Sequence, residues 1–117
     1  MSAETELRAL LVADSALVAL VGTRIAADRI EQGAARPFVV FTRASTEYVL
    51  ALDSSVAATK AIFEVQCWGD TRVSIEAVAD AVSRIFTADA RALSERSSGY
   101  DAELDLEATT FIVDWWD

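Results

Sequence analysis

Residues Asp101 to Asp117 carry two alternating patterns in opposite phase, and no single regular strand accommodates both. Asp101, Glu103, Asp105 and Glu107 alternate with Ala102, Leu104, Leu106 and Ala108. Then the phase reverses, and Phe111, Val113 and Trp115 take the odd positions that had been acidic. Successive side chains of a strand point to opposite faces. The chain must therefore bulge or turn, and the reversal places that break near Ala108–Thr110. Glu107-Ala108 is a poor turn pair, which favours a bulge over a two-residue hairpin. Trp115 and Trp116 are adjacent, so in a strand they take opposite faces. A small domain usually has one core. Two large rings on two faces call for a second buried surface, which a partner subunit can supply.

A chain of 117 residues fits one domain, 1–117. It is 53% hydrophobic, high for this size, which points to burial by association as well as in a monomer core. No apolar run approaches the ~20 residues of a spanning helix, so no membrane partner is expected. The first residues are acidic where a secretory leader is basic, and the expectation is a soluble protein made in the cytosol. A formal net charge of −9 removes the basic footprint that specific nucleic-acid binding needs. An acidic wall repels phosphates instead of holding them.

The segment Leu7, Leu10, Leu11, then Leu17, Leu20, Val21 has helical spacing. Ser2 or Thr5 suits its start, Asp14-Ser15 offers a second cap, and Gly22 a stop. Arg24 to Ile30 reads as a weak strand, and Glu31 to Arg36 as a loop ended by Pro37. Phe38 opens a clear strand that continues loosely through Glu47-Tyr-Val-Leu. Asp53-Ser-Ser is a turn signal, and Thr59 to Trp68 is the next strand. Its row Ala61, Phe63, Val65, Cys67 reads as core. Helix 71–86 follows, capped by Asp70 or Thr71, with an apolar stripe from Ile75 to Phe86 and an Asp80–Arg84 pair on the wet side. Ala88 to Gly99 is polar and reads as loop. The order predicts an α+β fold, a mainly antiparallel sheet with two principal helices packed on one face.

Chemistry has few places to reside. The chain has no histidine, the commonest general base and metal ligand. No glycine-rich phosphate loop is present. Cys67, on the core row, is expected to be a buried small hydrophobe. The acidic row Asp101, Glu103, Asp105, Glu107 would place carboxylates ~6.6 Å apart on one strand face. That spacing is compatible with a divalent cation or an acid–base pair, but a solvated face is the simpler reading, and no cofactor or metal is assigned. Phe38, Phe41, Phe63, Phe86 and Phe111 read as core. Trp68 and Trp116 lie opposite better core rows and read as a subunit interface, the alternative being a sheet covered on both faces.

The order of landmarks carries a resemblance. Leu10-Leu11 with Asp14-Ser-Ala-Leu-Val-Ala-Leu-Val-Gly-Thr-Arg-Ile25 resembles the opening of the phage tail-completion, or tail-terminator, family of head–tail joining proteins. Arg36-Pro-Phe-Val-Val-Phe41, Phe63-Glu-Val-Gln-Cys-Trp68 leading into a helix, and Thr110-Phe-Ile-Val-Asp-Trp-Trp116 resemble its later landmarks, in order over nearly the whole chain. The short stretch before the last strand departs from that pattern. The resemblance implies a non-enzymatic virion protein of a phage or prophage, located at the head-proximal end of a tail and assembled in the host cytoplasm. It implies a ring of self-contacts, typically a hexamer, partners in the tail tube and head–neck, and DNA passing through the lumen. It also implies a subunit or tail-tube contact, assigned to Trp68, Ile112 and Trp116, and a mobile loop, assigned to Thr46–Ala57 and including Thr46, Glu47, Tyr48, Asp53, Ser54 and Ser55. Another neck component, a carboxylate-based metal-binding or hydrolytic domain, and an antitoxin-like binding module stand as alternatives.

Overall fold

The computed structural model describes residues 3–29, 35–89 and 92–116. Two short helices open the chain, α1 (Ala3–Val12) and α2 (Ser15–Val21). Leu7 and Leu11, one helical turn apart, bury completely, as do Leu17 and Val21. Asp14 separates the helices by capping the second: its carboxylate accepts the Leu17 N–H at 2.9 Å. Gly22 ends α2 at φ 60°, a conformation in which a Cβ is strained. Thr5 lies inside α1 and does not cap it, and Ser2 lies outside the described residues.

Strands β1 (Ile25–Ala27), β2 (Phe38–Leu50) and β3 (Val56–Gly69) precede helix α3 (Arg72–Ala88), and β4 (Ala92–Asp101) and β5 (Leu106–Trp116) follow it. They form one sheet in the order β1-β2-β3-β5-β4. Only the β1–β2 pair is parallel. The expected weak strand reduces to the three residues of β1, and Ile30 and 31–34 of the expected loop lie outside the described residues. Alternation along β3 sets the layers. Ala61, Phe63, Val65 and Cys67 are buried, while Ile62, Glu64, Gln66 and Trp68 are half-exposed. The buried row meets Val39 and Phe41 on one side and Phe111, Val113 and Trp115 on the other. All three helices cover this one face, α3 contributing Ile75, Val78, Ala79, Val82, Ile85 and Phe86. Thr71 caps α3 by accepting the Ser74 N–H at 3.2 Å. Gly69 lets the strand pass beneath that start, since a Cβ there would lie 3.1 Å from Ile75.

Several sequence expectations are corrected. The phase reversal is not a bulge at Ala108–Thr110, because β5 pairs with β3 in unbroken register from Glu107 to Trp116. The break falls earlier, in a turn at residues 102–105. The acidic pattern belongs to the end of β4 and to that turn, the apolar pattern to β5, so two elements carry the two phases. The polar segment after α3 is strand β4, not loop. It is an edge strand, paired with β5 alone, so its backbone bonds hold it with little apolar content. Phe38 is half-exposed on the face without helices and is not core. Arg84 reaches Asp14 at 3.2 Å, and Asp80 pairs with Arg96 at 3.4 Å, so the expected Asp80–Arg84 pair does not form.

Two outcomes follow from the polar groups in this layer. Asp14 has its pKa lowered, chiefly by the Leu17 N–H and then by Arg84. A depressed carboxylate stabilises the fold above its unfolded pKa and loses that contribution as pH falls through the folded value. Asp14→Ala is expected to cost about 1 kcal/mol near neutral pH, and urea titrations should show the gap narrowing below pH 3.8. Thr109 is fully buried and its hydroxyl oxygen has no hydrogen-bond partner. Thr109→Val should raise stability by about 1–2 kcal/mol, read as a higher urea midpoint with unchanged slope. A lower midpoint would show that the hydroxyl is satisfied.

Candidate assembly surface

The face of the sheet opposite the helices has no second layer among the described residues. Register decides what stands on it. Trp68 pairs with Phe38 and with Ala108, Glu64 with Ile112, and Lys60 with Trp116. Residues directly opposite in a ladder share a face, so Trp68, Ile112 and Trp116 lie on this open face together. Trp68 and Ile112 are half-buried among their neighbours, and Trp116 is 49% exposed. Its neighbour Trp115 turns the other way. It is 1% exposed, packs edge-on against Phe63 at 6.2 Å, and donates its indole N–H to Glu6 at 3.4 Å.

Polar side chains interleave with these rings. The Trp68 indole donates to Gln66 at 3.3 Å, and the Gln66 amide donates to Glu64 at 2.7 Å. Lys60 lies 2.9 Å from Glu47 and 3.9 Å from Asp114, with its ammonium 5.4 Å from the Trp116 ring centre. Its pKa is raised, first by Glu47. Near Trp68 an open groove of about 260 Å³ runs between Gln66, Ser98, Tyr100, Asp101 and Thr110. Asp101, its one carboxylate, already accepts the N–H groups of Glu103 and Leu104, each at 3.0 Å.

The segment assigned to a mobile loop is a hairpin arm. Thr46, Glu47 and Tyr48 are strand residues paired with Ala61, Lys60 and Thr59. Asp53, Ser54 and Ser55 belong to the turn with Ala51 and Leu52, and there Asp53 accepts the Ser55 N–H at 3.0 Å and its hydroxyl at 2.6 Å. A register shift between Arg43 and Ser45 resets the alternation of β2. Thr46 therefore shares the helix-side face with buried Ala61, and Tyr48 and Leu50 continue that row. The helices stop short of it. Arg43, bound to Glu4 of α1 at 2.7 Å, marks the boundary. Beyond it Tyr48 is 64% exposed, Leu50 59%, Val56 56% and the tip residue Leu52 fully exposed. The arm contributes to a long molecule of 51 × 30 × 23 Å. The sequence pattern gives the loose strand through Leu50 and the turn at Asp53, but not the extension of β3 back to Val56, because the arm's apolar residues face solvent on both sides.

The acidic residues do not form a row. Asp101 ends β4, Glu103 and Asp105 stand in the turn, and Glu107 begins β5. Asp105 accepts the Tyr100 hydroxyl at 2.5 Å, and Glu107 binds Arg72 at 2.5 Å. Among the described residues no three potential metal ligands gather.

Open sheet face, projecting arm and helices on one side form a frame that comparison places. The family of tail completion protein gp17 matches residues 5–115. The chain belongs to this family. A solved chain from the virion of a native gene transfer agent particle shares the fold, with a TM-score of 0.69 and 21% identity over 97% of this chain and 96% of that one. Comparison with curated proteins gave no match. The role of this tail completion protein is thus structural, within a phage-type virion.

Its one thiol has a structural place. Cys67 is fully buried beneath α3, and burial pushes its pKa up to about 12. Thiolate is the reactive form, so the native protein should resist alkylation at pH 8 and react fully in urea. Rapid labelling of folded protein would contradict that burial.

Proposed function

We propose that this tail completion protein closes the head-proximal end of the tail tube as a ring, six copies being the expected number. It contacts the tail-tube protein on one side and head–neck proteins on the other, with DNA passing through the lumen. The single observation that carries this reading is the uncovered apolar surface. The core row of β2 and β3 runs past its own helices onto Tyr48, Leu50 and Val56, with Leu52 at the tip. An isolated two-stranded hairpin is marginal in water, and exposed side chains of this size are typical of contact surfaces. A partner chain would supply the missing layer. Trp68, Ile112 and Trp116 on the open face offer a second contact, and the net charge of −9 suits a channel through which DNA slides.

Light scattering with and without the tail-tube protein tests the reading. Ring-sized particles are expected at least in its presence, and a monomer under every condition would contradict it. Trp116→Ala should abolish assembly while costing the monomer about 1 kcal/mol or less, since the ring is half-exposed. Global unfolding of that variant would instead place Trp116 in the core.

A further inference from the structure

The chain carries an excess of acids, yet three of its arginines have no carboxylate partner among the described residues. Arg36 pairs with Asp70, Arg43 with Glu4, Lys60 with Glu47 and Asp114, Arg72 with Glu76 and Glu107, Arg84 with Asp14, and Arg96 with Glu76 and Asp80. Arg8, Arg24 and Arg29 remain. Arg8 donates to the Ile25 carbonyl at 3.2 Å and Arg24 to the Pro37 carbonyl at 3.0 Å. Those backbone bonds hold the two guanidinium groups along β1, one lateral edge of the sheet. Arg29 follows β1 and is exposed, with Asp28 the neighbouring acid.

The opposite edge is the mirror image in charge. At the corner where β4 turns into β5, Asp101, Glu103 and Asp105 have no cationic partner among the described residues, and exposed Tyr100 and Leu104 stand among them. Both features lie at the same end of the sheet. Arg24 is bonded to the residue before β2, Phe38 of β2 pairs with Trp68, and the next residue, Gly69, pairs with Glu107 just past the turn. Between them stand β2, β3 and β5, roughly 19 Å of sheet at the usual strand spacing. One copy cannot bring its own two edges together.

We infer that the acidic β4–β5 corner of one copy docks on the arginine edge, Arg8, Arg24 and Arg29, of the next. The occupant of each edge is a second copy of this chain, because the complement of each edge is present on the other. Such a contact is head-to-tail, and head-to-tail contacts close into rings when the rotation between copies permits. Tyr100 and Leu104 give the acidic corner an apolar part. Exposed charge pairs contribute little affinity each. Their work is in direction and register, since acid-to-acid or arginine-to-arginine approach is repelled. The β4 edge, an open row of backbone groups, is thereby kept from pairing with its own kind.

The inference rests on the ring reading, and charge reversal separates the two. Glu103→Arg with Asp105→Arg leaves the corner net basic and spares Asp101, which holds the turn. Arg8→Glu with Arg29→Glu reverses the edge and spares Arg24, which holds Pro37. Each pair alone should raise the concentration for half-assembly by about tenfold or more in a monomer that still melts cooperatively, and Arg8→Gln, which keeps a donor for the Ile25 carbonyl, controls for the lost backbone bond. All four substitutions in one chain should restore assembly, and raising salt should weaken the wild-type ring. If wild type forms rings and either reversed pair assembles equally well, the edge contact is wrong and the ring reading stands. If the reversed arginine edge fails but the fourfold variant does not recover, that edge faces a different partner, such as DNA phosphate or an acidic tube protein, and the inference is overturned. If wild type never assembles, even with tail-tube protein, both fall.

Discussion

Phe63 stands edge-on between Phe41 of β2 and Trp115 of β5, with ring centres 6.4 and 6.2 Å away. Every other feature takes its orientation from that contact. It ties both neighbours of β3 to one face, and a β3 slipped by one residue would turn Phe63 and the rest of its row, Ala61, Val65 and Cys67, to water. At ~1.5–3 kcal/mol for each large side chain buried, that slip is prohibitive. Once the helix side is set for Phe63, ladder pairing sets the side of every other strand residue. Trp68, Ile112 and Trp116 stand outside because Phe63 stands inside.

The edge of the sheet depends on a different kind of contact. β4 has little to bury. Arg96 instead lies over the Phe111 ring at 5.4 Å and reaches Glu76 and Asp80 of α3 at 3.0 and 3.4 Å. Arg72 of α3 holds Glu107 at the start of β5. Exposed ion pairs are individually worth at most ~1 kcal/mol. Here they add to a full ladder of backbone bonds with β5, and together they position a strand that its own composition does not favour.

These two constraints leave three surfaces unspent. The open sheet face keeps its tryptophans, the arm keeps an apolar row without a helix above it, and the lateral edges keep opposite charges. Each is incomplete within one chain in its own way, by lacking a layer, a lid or a counter-ion. The chain belongs to a family of structural virion proteins, a setting in which neighbouring proteins are available to complete such surfaces.

Much of the layering was legible in the chain. The alternation Ala61, Phe63, Val65, Cys67, the stripe from Ile75 to Phe86, the caps at Asp14, Gly22 and Thr71, and the opposed tryptophans depend on local period and local hydrogen bonds, which sequence spacing reports directly. What failed to show was whatever depends on a neighbour distant in the chain. β4 is a strand because β5 lies beside it, not because Ser94 to Gly99 favour extension. The arm is a hairpin because β3 begins at Val56, past the helices, where the sequence pattern starts that strand only at Thr59. The acids of the last segment spread over a strand end, a turn and a new strand because the turn fell at 102–105, a choice made by the β3–β5 register. The sequence by itself determined which side chains need cover. Only the tertiary structure decided which of them receive it within one chain, because cover depends on where the helical layer ends, and that is a property of packing and not of period.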